Sequence, residues 1–183
     1  PNIPAGYTYF GQFVDHDITF DPTSSLERAN DPERIHNFRT PRFDLDNLYG
    51  RGPAAQPYLY DNASDPKTKK FLIGDNGENR APGPKSEPDL PRNRDASGDP
   101  AAVDPFTRKR RALIGDPRND ENIIVGQLHL AMLKFHNSWI DRDKSFAEAQ
   151  RLTRWHYQWV VIHDFLKRLC GRDLVNDILQ SDE

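Results

Sequence analysis

The chain has 183 residues, a formal net charge of −3 and hydrophobic residues at 36% of its positions. That length suits one domain, and the near-neutral charge excludes a global pull toward nucleic acid or an anionic membrane. No run of about 18 apolar residues occurs, so no membrane-spanning helix is expected. Cys170 is the single cysteine, which rules out an intramolecular disulfide. The chain opens Pro1-Asn2-Ile3 without a methionine or a signal peptide, and this start reads as a cut.

Residues 1–20 begin with Pro and Gly loop signals and continue as an apolar helix carrying Gln12-Phe13-Val14-Asp15-His16-Asp17. On a helix, Gln12, Asp15 and His16 share a face, while Asp17 is rotated about 100° from His16. Two polar sites back to back are therefore expected, one on His16 and one on Asp17. Residues 21–41 read as loop. Residues 42–50 alternate acidic and apolar side chains and stop at Gly50. Residues 51–111 form a loop-rich segment with short β-like pieces at 58–60 and 71–73. Within it, the Pro- and Gly-rich part from Gly74 to Asp104 reads as extended surface loop or disorder.

Order returns at Ala112-Leu113-Ile114. Asp116 is a good N-cap and Pro117 a good first helical residue. A helix is predicted over 117–139, with Ile124, Leu128, Ala131 and Phe135 on its apolar face. A second is predicted over 146–169, with Ala149, Leu152, Trp155, Trp159, Ile162 and Leu166 at a spacing of three to four. Gly171 stops it, and another turn begins after it.

His16 can accept a proton from a weak acid and return it to a leaving group, with Gln12 one turn earlier to hold water or a small substrate. The alternative is a buried histidine satisfied by its neighbours. Arg118 and Glu121, at i and i+3, form either a cationic group poised to stabilise developing negative charge or an intrahelical ion pair. Asp17, Thr40, Asp44 and Asp46 supply hard oxygen donors suited to Ca²⁺, or else a solvated acidic loop. An EF-hand is rejected, because its Gly and distal Glu are absent. His129, His136, His156 and His163 read as core or capping residues, since a spacing of seven along a helix is too long for one ion. The run Arg108-Lys109-Arg110-Arg111 reads as a solvated surface segment.

Three segments together resemble the animal-type haem peroxidase superfamily, closest to its bacterial and peroxinectin-like members. They are 11–17 (GQFVDHD), 39–50 (RTPRFDLDNLYG) and 115–122 (GDPRNDEN) with the following helix to His136-Asn137. The resemblance implies a mainly α chain, the distal-side part of the all-α haem peroxidase fold, with long loops and little β. It implies that residues 1–183 are one partial domain. His16 would be the distal base, Gln12 would hold water with halide or peroxide, and Arg118 would support cleavage of the O–O bond. Asp15 and Glu121 would be the acids ester-linked to haem b, and Asn122 stands where some members carry a third, methionine link. The calcium ligands would be Asp17, Thr40, the Arg42 carbonyl, Asp44 and Asp46.

The resemblance also implies a reaction. His16 would take a proton from H₂O₂ and deliver it to the leaving oxygen, with a small reducing substrate or halide as the donor oxidised, in a response to oxidative stress. The proximal iron ligand is expected in the remaining half of the domain. A secreted setting follows from the family. Two readings of the same superfamily compete: a non-catalytic, calcium-stabilised adhesion module and a fatty-acid oxygenase. Without the resemblance, a metal-assisted hydrolase using Asp15, His16 and Asp17 competes.

Overall fold

A computed structural model describes residues 3–21, 36–63, 65–75, 87–93 and 111–181. The described residues are mainly helical. Helix α1 spans Gly6–Ile18. A short α2, Asp46–Tyr49, closes the acidic loop. A two-stranded antiparallel ribbon pairs β1, Gly74–Asp75, with β2, Pro88–Asp89. Next come a 3-10 turn at Pro117–Asp120, α3 at Ile123–Ile140 and α4 at Phe146–Val160. A π-helical turn at Val161–Phe165 continues α4 into α5, Leu166–Leu169, and α6 follows at Arg172–Ser181.

Each boundary has a local cause. Asp116 caps the 3-10 turn, its side chain accepting from the Arg118 amide, with Pro117 at the first position. The predicted helix over 117–139 is divided here. Asn122 adopts an extended conformation and caps α3 separately by accepting from the Val125 amide. Ser145 and Glu148 form a reciprocal capping box at the start of α4. Gly171 follows the end of α5 with φ +97°, a conformation that suits glycine.

The apolar faces differ from those predicted. In α4 and its continuation the buried residues are Ala149, Thr153, Tyr157, Val161 and Phe165, a strict spacing of four. Trp155 and Trp159 are 57% and 61% exposed. In α3 the buried positions are Val125, Gly126, His129, Leu130, Leu133, His136 and Ile140, while Ile124 and Ala131 face outward. Polar residues take core positions that a hydropathy pattern assigns to larger apolar neighbours; His136 is matched there by Tyr49 and the Lys69 carbonyl, whereas the Thr153 and Tyr157 hydroxyls have no hydrogen-bond partner. His129 and His136 are core residues as expected, but His156 and His163 are exposed.

One core joins α1, α2, α3 and α4 through Phe13, Leu45, Leu48, Tyr49, Val125, Leu133 and Tyr157. Next to it lies an aromatic group of Tyr49, Tyr60, Phe71, His136 and Phe146. His136 Nε2 donates to the Lys69 carbonyl at 3.2 Å, leaving Nδ1 to accept from the Tyr49 hydroxyl at 3.0 Å. Asn137 pairs with both the N–H and the carbonyl of Phe71, at 2.7 and 2.9 Å, as a strand would. This places the β-like piece at 71–73 against α3, with one backbone bridge from Phe71 to Tyr60. The piece at 58–60 instead includes most of a 3-10 turn, Pro57–Leu59. Residues 22–35, most of the Gly74–Asp104 stretch and residues 108–110 of the basic run lie outside the described residues.

Candidate functional site

Helix α1 carries the centre of the site, and the 3-10 turn at Pro117–Asp120 packs against it. Four hydrogen bonds tie these distant segments together. His16 Nδ1 lies 2.7 Å from the Asn119 carboxamide oxygen. Asn122 Nδ2 donates to Gln12 Oε1 at 3.1 Å. Arg118 Nη2 donates to the His16 carbonyl at 3.2 Å and to the Thr19 carbonyl at 2.5 Å. Gly115 makes this docking possible: a Cβ there would stand 2.5 Å from the Asn47 carbonyl oxygen, so any other residue would displace backbone.

The predicted residues occupy different depths. His16 is 5% exposed. Gln12 is half-buried, while Asp15 and Glu121 are exposed. Gln12, Asp15, Glu121 and Asn122 thus border an accessible surface where α1 meets the start of α3. Arg118 lies beside His16 but is turned to the backbone. Its guanidinium binds Asp116 through Nε and Nη2, and caps the last carbonyls of α1. Arg39 donates to the same carboxylate at 2.7 Å, and both guanidinium groups stand over the Phe20 ring at 5.1 Å. Burial pushes the Asp116 carboxyl up, but the hydrogen bonds from Arg118 and Arg39 together outweigh it and hold the group below its usual range.

Behind His16 the polar chain continues. Asn119 is fully buried, and its Nδ2 lies 2.9 Å from His129 Nδ1. His129 is fully buried, and desolvation lowers its pKa to about 3, so it is neutral at ordinary pH.

Asp17 faces the opposite side, toward the acidic loop. It is fully buried, and its Oδ2 accepts from the Leu45 amide at 3.2 Å. Its Oδ1 has no hydrogen-bond partner, and neither has Asp44 Oδ1. Burial, opposed by the Leu45 amide and aided by the charge of Asp44, raises the Asp17 carboxyl to about 7. Burial and then Asp44 raise Asp46 in the same way. The Tyr157 hydroxyl is also buried near Asp17 without a well-formed hydrogen bond; burial first, and the Asp17 charge second, push its pKa up. Thr40 donates to Asp44 Oδ2 at 2.8 Å. Arg154, the nearby cation from α4, donates to the Asp44 carbonyl rather than to a carboxylate. Arg42, expected to act through its carbonyl, has an exposed side chain.

The backbone of this loop is also unusual. Leu45 lies between Asp44 and Asp46 in the left-handed region, with φ 60° and ψ 41°, and is fully buried. Such a conformation costs a non-glycine residue about 1–2 kcal/mol. The Leu45 amide bond to Asp17 and the packing of its side chain hold it there. Among the described residues no group of three or more His, Cys, Asp or Glu side chains is gathered closely enough to hold a metal ion. The loop thus carries hard oxygen donors, two of them without hydrogen-bond partners, but no closed cage.

A cavity of about 250 Å³ opens elsewhere, lined by Pro4, Gly6, Tyr7, Phe10, Val160 and Asp164. Tyr7 is nine residues before His16, roughly 13 Å along the helix, and the cavity holds none of the predicted site residues. Its volume falls below the about 300–1,000 Å³ usual for a ligand pocket. Its polar groups are already matched, with Asp164 accepting from both Tyr7 and Arg168.

The chain matches no protein-family model and no curated protein. Among the described residues, no helix is long and apolar enough to cross a membrane. The sequence reading missed Asn119, Arg39 and Tyr157. Tyr157 could have been found from the spacing of four through 149, 153, 157, 161 and 165. Asn119 and Arg39 carry no spacing signal, because their roles depend on contacts 103 and 77 residues away.

Proposed function

We propose that this chain supplies the distal side of a haem peroxidase site, with His16 as the acid–base group. The observation that carries the reading is the convergence of 12–16 and 118–122, more than 100 residues apart, at one edge of α1. Haem b, when bound, would supply the redox chemistry on H₂O₂, and a small reducing substrate or halide would be oxidised. The exposed carboxylates of Asp15 and Glu121 suit covalent or polar attachment of such a group. His16 would take a proton from peroxide and return it to the leaving oxygen. Gln12 would hold the peroxide or a water beside it. Arg118 would turn its charge toward the developing anion, which requires release from the α1 carbonyls or use of its Nη1 group.

Asp17, Thr40, the Arg42 carbonyl, Asp44 and Asp46 would hold Ca²⁺ on the other side of α1. The two partnerless buried carboxylate oxygens support this reading, because an unmatched buried carboxylate is expensive without a cation.

Reconstituting the full-length gene product with haem b tests the enzyme reading. A Soret band that responds to H₂O₂, together with guaiacol oxidation, is expected. His16→Ala should slow the reaction with peroxide by about 10²–10⁴-fold, and an unchanged rate would remove His16 as the base. A second reading, a calcium-stabilised scaffold without catalysis, draws on the structural engagement of Arg118 with Asp116 and the end of α1. Failure of haem uptake with retained calcium binding would favour it.

A further inference from the structure

We infer that Asn119 is a positioning residue that fixes the tautomer of His16, with His129 holding the Asn119 carboxamide in its working orientation. The inference rests on the reading of His16 as a proton-transfer group and extends it to the residues behind it.

A carboxamide nitrogen can only donate, so the 2.9 Å contact from Asn119 Nδ2 makes His129 Nδ1 the acceptor. Neutral His129 then carries its hydrogen on Nε2. That atom is buried and has no hydrogen-bond partner, so the tautomer of His129 is set by its Nδ1 contact to Asn119. The depressed pKa of His129 keeps the Nδ1 lone pair available at ordinary pH. Asn119 is fully buried, and with its nitrogen committed to His129 its oxygen must face His16. A carboxamide oxygen can only accept, so the 2.7 Å contact places the His16 hydrogen on Nδ1. The lone pair of His16 is then on Nε2, the ring nitrogen away from Asn119.

A base that must take a proton from a substrate and return it needs its lone pair on the substrate side. A carboxamide can impose the tautomer as a carboxylate does, without placing a negative charge against His16, the neighbour of Asp17 in sequence. Flipping the Asn119 side chain would point NH₂ at His16 Nδ1 and oxygen at the His129 lone pair. That flip keeps both hydrogen bonds only if His16 and His129 both change tautomer. The three side chains therefore act as one unit, ordered from the core outward.

The experiment is ¹⁵N spectroscopy of the histidine rings in the protein, at a pH where the imidazoles are neutral. In the unaltered protein His16 should show a protonated Nδ1 and a lone pair on Nε2, and His129 the reverse. A His16 hydrogen on Nε2 would overturn the inference. Asn119→Leu should return His16 to the Nε2–H form. Asn119→Asp keeps an acceptor in place and should retain Nδ1–H. If the leucine variant does not fold, the spectra of the unaltered and aspartate proteins decide the question. An unchanged His16 tautomer in a folded leucine variant counts against Asn119. In the haem-loaded protein, Asn119→Leu should lower the rate with peroxide by about 10–100-fold, the size seen when a metal-bound histidine loses its orienting partner. The two readings fail separately. The expected tautomer without any peroxide reaction leaves the positioning role and removes the peroxidase. A peroxide reaction with His16 in the Nε2–H form does the opposite.

Discussion

The two sides of α1 solve the same problem, a buried polar group, in different ways. On one side His16 is matched by neutral partners: the Asn119 oxygen accepts, and Asn119 in turn donates to His129. On the other side burial raises the Asp17 pKa, the charges of Asp44 and Asp46 add to it, and Asp17 Oδ1 and Asp44 Oδ1 are left without partners. The first side is nearly complete within the chain. The second is short of positive charge. The difference separates a buried polar group matched by neutral partners from one set among acids with two oxygens unmatched.

The largest expected effect comes from breaking the element that serves both sides. Asp116 binds Arg118, which caps α1 beneath His16, and Arg39, which precedes the acidic loop directly in sequence. Removing one member of a buried, hydrogen-bonded charge group costs about 3–5 kcal/mol. Asp116→Ala should therefore lower stability by that amount in denaturant titration. A loss under about 1 kcal/mol would mean that the two arginines find other partners and that the clamp does not organise α1.

Asp17→Asn sharpens the comparison from the other side. With Ca²⁺ in excess, the unaltered protein should gain about 2.7 kcal/mol at a concentration one hundred times the dissociation constant. The variant should lose that gain. After chelation the order should reverse, because asparagine removes a carboxylate that burial already holds near neutrality. A melting temperature indifferent to Ca²⁺ in both proteins would return the segment to a solvated acidic loop.

Much of this comparison was readable from the sequence. The back-to-back geometry of His16 and Asp17 follows from helical periodicity alone, and their observed partners lie on different elements, as that geometry requires. The Asp116 cap, the start of α4 and the stop at Gly171 were equally local and were read correctly. What the sequence hid was set by distant contacts. The break at Asn122 depends on its side chain serving both the α3 cap and Gln12. The buried stripe of α4 runs through Thr153 and Tyr157, whose polar atoms made them poor core candidates. Trp155 and Trp159 had the right hydropathy and spacing, but they stand on the outer face. Helical periodicity says that residues share a face without saying which face the core selects.

A smaller effect separates the two sides by pH. His129 and His136 are buried and neutral, with pKa values lowered to about 3 and about 4 by desolvation. The unfolded chain binds protons on both below about pH 6.5, while the folded chain does not until much lower. Their contribution is therefore present above about pH 6.5 and is lost as pH falls toward 4, at about 1.4 kcal/mol per unit for each histidine. Asp17 has the opposite sign. Its folded pKa lies above the unfolded value, so metal-free protein loses stability as pH rises from about 4 toward 7. Asp46, also raised, acts in the same direction as Asp17 but more weakly, so the two histidines leave a net loss on acidification, which urea titrations across this range should detect. His136→Gln should reduce the slope, and Ca²⁺ should steepen it by cancelling the opposing contribution of Asp17. A slope unaffected by either change would mean that the histidines are solvated in solution.

The smallest expected effect tests the junction of 12–16 with 118–122 directly. Gln12 and Asn122 share one half-buried hydrogen bond of 3.1 Å. Losing it by Gln12→Ala should cost about 0.5–1.5 kcal/mol, because the Asn122 oxygen still caps α3 through the Val125 amide. On the Asp17 side nothing should change, so the response to Ca²⁺ should equal that of the unaltered protein. The site should respond more than the fold does. Gln12 borders the accessible surface, whereas His16 and Asn119 remain locked together behind it. In haem-loaded protein, Gln12→Ala should therefore weaken peroxide or halide binding while leaving the His16 tautomer intact. A changed tautomer in this variant would show that the junction at Asn122, rather than Asn119, sets the orientation of the base.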